Sequence, residues 1–186
     1  MKTATAKLGA VLILAFLGAA LNPSHAVEAF PDKYDGKWEA AGPNVRVMRH
    51  QDGSRTEFRR SPDDKTLTKK TTGTNGYIKM TAVYKMDANQ NPLACKIFDG
   101  QGNILYKIRY GYHKKTGQLV AEDMFNARAK FLDDQGRPIP VRRLYYTYDA
   151  QGNRSKAIAI SPLAGKTAEE VYGNRSTHLH TNPFKR

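Results

Sequence analysis

The chain has 186 residues, and its 30 lysines and arginines against 17 acidic residues give it a formal charge of +13. This length suits one domain with a buried core, and apolar residues at 40% with aromatic residues at 10% exclude a wholly disordered basic chain. The single cysteine excludes an intramolecular disulfide framework and a CxxC metal or redox site.

The first 26 residues have the parts of a secretory signal peptide. Lys2 and Lys7 form a short positive region, and the fourteen residues from Leu8 to Leu21 carry no charge. That run is shorter than the ~20 residues that a membrane-spanning helix needs, and small residues at positions −3 and −1 precede Val27. We therefore expect an exported bacterial protein, periplasmic or extracellular, with no integral membrane segment after cleavage. An uncleaved N-terminal anchor is the alternative.

The segments after the leader are less regular. Residues 27–44 are rich in proline and glycine and are predicted to form an irregular N-terminal arm. Residues 45–60 are predicted to form a hairpin that turns at Asp52-Gly53, and residues 65–71 a further strand.

From Tyr77 onward, apolar and aromatic residues recur at every second position. The clearest segments span residues 77–86, 104–112 and 143–148. Successive side chains of a strand point to opposite faces. In the second segment, for example, Tyr110 lies on the apolar side and Arg109 on the polar side. The alternation predicts strands that bury one face and leave the other in water.

Cys95 lies in a segment of the same kind, on the apolar side with Leu93 and Ile97. An unpaired thiol in an oxidising compartment is at risk of intermolecular coupling unless it is buried. We therefore predict a buried, inert Cys95 rather than a nucleophile.

One turn pattern recurs between the strands: a large apolar residue, Asp, any residue, Gln, Gly, then Asn or Arg. It occurs at residues 98–103, 132–137 and 148–153. Asp at the first turn position accepts hydrogen bonds from the following amides, and Gly adopts the positive φ that closes such a turn. The steps between turns are too short for helical crossovers, so the strands should form an antiparallel meander.

The segment Tyr146-Thr147-Tyr148-Asp149-Ala150-Gln151-Gly152-Asn153 resembles the core of the YD (RHS-type) repeat, in which an aromatic–Asp pair precedes a Gly-Asn or Gly-Arg turn. The segments 98–103 and 132–137 are similar, and the resemblance covers residues 77–160. It implies hairpins that build curled sheets serving as shells or extended extracellular surfaces, with no catalytic residues to carry over. The copies here are too few for a large closed shell, which leaves a small curled sheet or partial barrel.

The chain end carries a different signal. Thr167 and Glu170 form a capping box, so residues 168–172 are predicted to form one short helix. The polar residues 176–186 are predicted to form a mobile tail. The predicted organisation is an all-β protein with four parts: a signal peptide (1–26), an irregular arm (27–44), an antiparallel β domain (45–160), and a short helix with a mobile tail (161–186).

The polar sides of the predicted strands are basic. If the strands are neighbours, one face carries these cations: Lys79, Lys85, Lys96, Lys107, Arg109 and Arg143. Tyr145 lies beside Arg143 on the same side and is the best candidate for an exposed ring. Such a face would attract polyanions through its summed field and through release of their counterions. The alternative is an ordinary solvated face, kept charged for solubility and against edge aggregation.

Other chemistry finds little support. His178 and His180 lie on one side of an extended tail, but two histidines without a third ligand do not predict a metal site. Glu122 and Asp123 are neighbours on a strand and should point apart, which is poor geometry for shared acid–base work. No GxSxG, P-loop, GxGxxG, HExxH or EF-hand motif is present. We predict no catalytic residues, no cofactor and no metal.

These observations together predict a non-catalytic binding or surface-interaction module whose basic sheet face holds an anionic partner, either a polysaccharide or another envelope polymer. The first alternative is a structural subunit of a cell-envelope assembly, with a protein partner. A hydrolase with a dispersed site is the least favoured reading.

Overall fold

The computed structural model describes residues 37–163, 165, 175–179 and 182–184. Over these residues the chain forms strands and no helix, which confirms the predicted all-β class. The strands are β1 (Trp38–Gly42), β2 (Val45–Arg49), β3 (Arg55–Arg60), β4 (Thr66–Thr72), β5 (Ile78–Met86), β6 (Pro92–Asp99), β7 (Ile104–Tyr112), β8 (Leu119–Asn126), β9 (Arg142–Tyr145) and β10 (Ile158–Ile160). The predicted signal peptide and the predicted helix at 168–172 lie outside the described residues.

The ten strands form one sheet in which each strand pairs antiparallel with the next along the chain. Among the described residues β1 does not pair with β10, so the meander is confirmed and does not close into a barrel. Five of the nine strand pairs contain a register shift. Bulges of this kind bend a strand and increase its twist, which is how a long antiparallel sheet curls.

The irregular arm predicted for residues 27–44 is wrong for the part that the structure describes. Trp38–Gly42 forms β1, which pairs with β2 across a turn at Pro43 and Asn44. The Trp38 ring packs edge-on against Phe58 with a centroid separation of 5.2 Å. Glycine and proline therefore mark the turn that follows this strand and do not interrupt it.

The predicted Asp-opened turns are confirmed. In the β6–β7 turn the Asp99 carboxylate accepts hydrogen bonds from the backbone amides of Gln101 (3.0 Å) and Asn103 (2.8 Å). Gly102 has a φ of 86°, which favours glycine. Asp133 and Asp149 hold their turns through amides at the same two spacings.

The position after Asp99 has less room for a side chain than the turn pattern, which allows any residue there, indicates. A Cβ atom built on Gly100 would lie 2.1 Å from the backbone oxygen of Ile78. The equivalent positions in the other two turns hold Asp134 and Ala150. The β6–β7 turn therefore packs against the start of β5 in a way that leaves no room for a side chain.

The hydrophobic core lies on one face of the sheet, which we call the core face. Its buried residues come from β3 to β9 and their flanks: Phe58, Leu67, Met80, Ala82, Tyr84, Met86, Cys95, Ile97, Ile108, Tyr110, Leu119, Met124, Val141, Leu144 and Tyr146. The predicted burial of Cys95 is confirmed, and burial raises the pKa of its thiol well above the ordinary value. A protonated, enclosed thiol is a poor nucleophile.

Residues 175–179, the tail segment, pack across this core face. Thr177 is 3% exposed, and its backbone oxygen accepts hydrogen bonds from the hydroxyls of Tyr84 (3.1 Å) and Tyr110 (3.0 Å). The prediction of a mobile tail is therefore wrong for these residues. Buried tyrosine hydroxyls need hydrogen-bond partners, and the tail backbone supplies them.

A buried ion pair anchors the tail segment. The side chains of Glu122 and Arg142 are both fully buried, and their closest N–O distance is 2.7 Å. Glu122 also accepts hydrogen bonds from the Thr177 hydroxyl (2.8 Å) and the Ser176 hydroxyl (2.9 Å). Arg142 donates to the backbone oxygen of Arg175 at 2.8 Å. Glu122 and Arg142 thus bind each other and also bind the tail segment. Together they attach the tail segment to β8 and β9.

We expect Glu122→Gln to lower the free energy of unfolding by about 3 kcal/mol, because removing one charge of a buried pair leaves the other without its counter-charge. The measurement is the urea midpoint at constant m value. Glu39→Gln is the matched control, since Glu39 is 61% exposed in a surface pair with Arg49. Equal midpoints for the two variants would contradict the anchoring role.

We expect Gly100→Ala to cost about 1–3 kcal/mol, because the new methyl group collides with a backbone oxygen and the turn must shift. Gly111→Ala is the control, because a Cβ atom there meets only ordinary contacts at 3.5 Å or more. Thermal unfolding of both variants measures the difference. Equal melting temperatures would show that the turn relaxes freely.

A basic cleft on the outer face

The opposite face of the sheet, the outer face, carries the predicted cations in two neighbouring rows. Cross-strand pairing defines the first row as Lys85, Ala94, Arg109, Asp123 and Arg143. The second row, two residues along the strands, is Val83, Lys96, Lys107 and Phe125. Adjacent strands lie about 4.8 Å apart. The strand register therefore brings five of the six predicted cations onto one continuous surface.

Lys79 is the predicted cation that does not join the rows. It lies four residues before Val83 on β5, which places it about 13 Å along the strand from the second row. Its side chain packs beside Gly73, in the β4–β5 connection. Tyr145 is 38% exposed and accepts a hydrogen bond from Arg143 at 3.3 Å, so its predicted exposure on the outer face is confirmed.

Asp123 is an outer-face residue whose role the sequence did not reveal. It lies between Arg109 and Arg143 and accepts hydrogen bonds from both, at 2.9 Å and 3.0 Å. Partial burial raises the pKa of its carboxyl group, but the hydrogen bonds from Arg143 and Arg109 outweigh that effect, and the pKa lies below its ordinary value. Asp123 therefore offsets part of the charge of two predicted cations and holds their side chains in place.

Lys96 and Lys107 face each other directly across β6 and β7, and both are exposed. In the part of the chain that the structure describes, neither makes an ion pair with a carboxylate. Like charges in directly opposite strand positions repel one another. The free protein thus holds two ammonium groups together without a counter-charge.

The β8–β9 connection, residues 127–141, forms an overhanging loop beside this surface. A small hairpin within it closes through a bridge between Leu132 and Pro138 and adds no strand to the sheet. Pro138 and Pro140 cannot donate to a sheet ladder, which explains why this part of the predicted repeat region leaves the meander.

The overhanging loop and the outer face of β7–β9 enclose a cleft of about 920 Å³, which we call the basic cleft. Its lining residues are Lys107, Arg109, Phe125, Asn126, Ala127, Ala129, Lys130, Phe131, Asp133, Arg137, Pro138, Ile139, Pro140, Arg143 and Pro162. The lining contains five cations and one acid. A concave site of this volume, with an apolar wall and a few polar groups, is typical of ligand-binding pockets.

The five cations of the basic cleft differ in how they are held. Arg109 and Arg143 are bound to Asp123, and Arg137 contacts Asp133 at 2.7 Å. Lys107, on the strand side of the cleft, and Lys130, on the loop side, make no ion pair with any described carboxylate. These two ammonium groups are the ones that remain available to an anion.

Sequence reasoning missed Lys130, Arg137 and Phe131 because it searched for cations along strands. Pro138 and Pro140 were the available signal, since they mark the chain around the Asp133 turn as a loop outside the ladder. The pair Glu122 and Asp123 points to opposite faces, as predicted, with Glu122 buried in the core and Asp123 among the outer arginines.

The cationic side chains that line the basic cleft can attract an anion. Within the described residues, no three His, Cys, Asp or Glu side chains are grouped so that they could hold a metal ion. The same residues contain no helix that is long and apolar enough to cross a membrane.

The chain matches no protein-family model, and it has no significant match among curated proteins. The geometry and charge of the outer face are therefore the features that bear on its function.

We expect Asp123→Asn to be less stable than the unmodified chain by about 1 kcal/mol at pH 7. A carboxyl group whose pKa is lowered on folding stabilises the protein above its unfolded pKa, about 3.9 for Asp. That contribution disappears as the pH falls through the lower pKa of the folded state. The difference in urea midpoint between the two proteins should therefore shrink from about pH 4 downward.

Asp134→Asn is the control for this series, because Asp134 is exposed in the turn of the overhanging loop. Its urea midpoint at pH 7 should stay close to that of the unmodified chain, because Asp134 makes no ion pair among the described residues. A difference for Asp123→Asn that stays constant from pH 7 to pH 3 would contradict the ionic role of Asp123.

Proposed function

We propose that this chain is an exported, non-catalytic binding module that holds an anionic partner, such as an acidic polysaccharide or another envelope polymer, on its outer face. The observation that carries the proposal is the cross-strand pair Lys96 and Lys107, which lies beside the basic cleft. An anion placed between two like charges converts their repulsion into attraction. The geometry therefore favours binding of an anion over an ordinary solvated face.

The rest of the surface supports a polymeric anion. The rows from Lys85 to Arg143 span five adjacent strands, β5 to β9, so cations recur over about 19 Å across the sheet. A polyanion that lies across them releases its condensed counterions, which makes binding strong at low salt and weak at high salt. Asp123 keeps two of the arginines in fixed positions, which lowers the entropy that binding costs.

The compartment belongs to the same proposal. The charge pattern of residues 1–26 supports export to the periplasm or the cell exterior. The YD-type resemblance of residues 77–160 also supports an extracellular interaction surface, since such repeats serve as shells or extended surfaces. Anionic polysaccharides and envelope polymers are partners that an exported protein would meet.

One observation favours the structural-subunit alternative. β10 lies at an edge of the sheet, and its Ile158 and Ile160 are 54% and 46% exposed. Natural edge strands usually carry charges or proline that discourage pairing with other chains. Assembly through this edge would be insensitive to salt, which distinguishes it from polyanion binding.

We expect the double variant Lys96→Gln, Lys107→Gln to bind immobilised heparin, used as a sulfated polysaccharide probe, more weakly than the unmodified chain. The slope of log affinity against log salt should fall in magnitude by roughly 1 to 2, because each lysine–anion contact contributes about 0.7 to 0.9.

Lys114→Gln, Lys115→Gln is the matched control, because these two lysines are exposed in the β7–β8 turn and the change in net charge is the same. The slope of log affinity against log salt for this control variant should stay close to that of the unmodified chain. Equal slopes for the two double variants would mean that net charge alone governs retention, and the proposed site would be wrong.

A further inference from the structure

The basic cleft combines free cations with one accessible aromatic ring. Phe131 lines the cleft and is 38% exposed. Phe125 also lines it, but the Arg109 guanidinium lies over that ring at 5.4 Å from its centroid. Phe131 is therefore the ring whose face remains available to a ligand.

The backbone at Phe131 is held in position before any ligand arrives. Its backbone oxygen accepts a hydrogen bond from the amide of Ile139 at 2.7 Å, across the small hairpin of the overhanging loop. The turn of that hairpin is fixed by Asp133, whose carboxylate accepts hydrogen bonds from the backbone amides of Gln135 and Arg137. These hydrogen bonds fix the backbone that carries the ring, so binding need not order the loop itself.

Lys130 is the residue directly before Phe131, and Lys107 lies on the strand side of the same cleft. A ligand that contacts the ring is therefore close to an ammonium group on either side. We propose, resting on the function proposed above, that the unit bound in the basic cleft is a sugar ring that bears an acidic group. Its carboxylate, sulfate or phosphate is held by Lys107 and Lys130, and its apolar C–H face packs on Phe131.

The arrangement favours an acidic sugar over the other common polyanions. Inorganic polyphosphate has the charge but no ring to place on Phe131. Single-stranded nucleic acid is usually bound by several aromatic side chains that stack successive bases along a basic groove. Phe131 is the one exposed ring among the residues that line the described cleft, which Pro138, Ile139 and Pro140 also line. One such ring suits one sugar unit of a polymer whose other units lie along the lysine rows.

The test compares four soluble probes by competition at one fixed salt concentration: polygalacturonate oligosaccharides, inorganic polyphosphate, single-stranded oligodeoxythymidylate and neutral dextran. Phe131→Leu keeps the apolar volume and removes the ring. We expect this variant to bind the polygalacturonate oligosaccharides about five- to tenfold more weakly, while its affinity for polyphosphate stays within twofold. Dextran should not compete.

The control for loss of a ring is Tyr77→Leu, since Tyr77 is 76% exposed and does not line the cleft.

A second variant, Lys107→Gln with Lys130→Gln, separates the two proposals. If this variant and Lys96→Gln, Lys107→Gln both leave the affinity for every polyanion unchanged, the proposed function fails; if only this variant does so, the acidic-sugar inference alone is overturned. If it weakens all polyanions while Phe131→Leu weakens none, the acidic-sugar inference is overturned and the function stands. Tighter binding of oligodeoxythymidylate than of polygalacturonate would also overturn the inference.

Discussion

The structure depends on a pair of consecutive acids on β8 that face opposite sides of the sheet. Glu122 points into the core and binds Arg142, while Asp123 points outward and binds Arg143. The two arginines are also consecutive, on β9. Because side chains alternate along a strand, a slip of one residue between β8 and β9 would place each charge on the wrong face. The two ion pairs therefore fix the register of β8 and β9 together.

The inner pair also solves the main problem of an open meander. A sheet must bury at least one of its faces against another part of the chain to form a core. Glu122 and Arg142 hold the tail segment on the core face through hydrogen bonds. There the backbone oxygen of Thr177 accepts hydrogen bonds from the hydroxyls of Tyr84 and Tyr110. A buried ion pair adds little stability beyond an apolar pair of similar volume. Its contribution here is to specify which part of the chain covers the core.

Closing one face with the chain's own tail leaves the other face to water and to partners. The outer face carries cations on adjacent strands, with an acid placed where it orders two arginines and no acid between Lys96 and Lys107. The overhanging loop then converts part of this flat surface into a cleft. A flat basic sheet would hold any polyanion, whereas a cleft with one exposed ring can select among them.

Much of this could be predicted from local patterns, because strands and tight turns are encoded by neighbouring residues. The alternation around Tyr110 and the Asp99 turn predicted the meander, and the positions of Lys96, Lys107 and Arg143 predicted one cationic face. The tail segment was not predictable, because its contacts with Glu122 join residues more than 50 positions apart. Polar residues in a tail indicate exposure unless their distant partners are known.

The cleft was missed for a related reason. Its two sides come from strands and from a loop that leaves the sheet, and the sequence contains no local sign that Lys130 lies near Lys107. The role of Asp123 was missed for the same reason, since only the pairing of β7, β8 and β9 shows that it lies between two arginines.

The most direct test of the account is an amide NMR titration of the ¹⁵N-labelled chain with a polygalacturonate oligosaccharide. The two faces are separate: the tail segment packs on the core face, and the anion is proposed to bind on the outer face. We expect shift changes at Lys96, Lys107 and Phe131, with the amides of residues 176–179 unchanged. Changes concentrated in the tail segment, or at Lys114 and Lys115 in the β7–β8 turn, would contradict it.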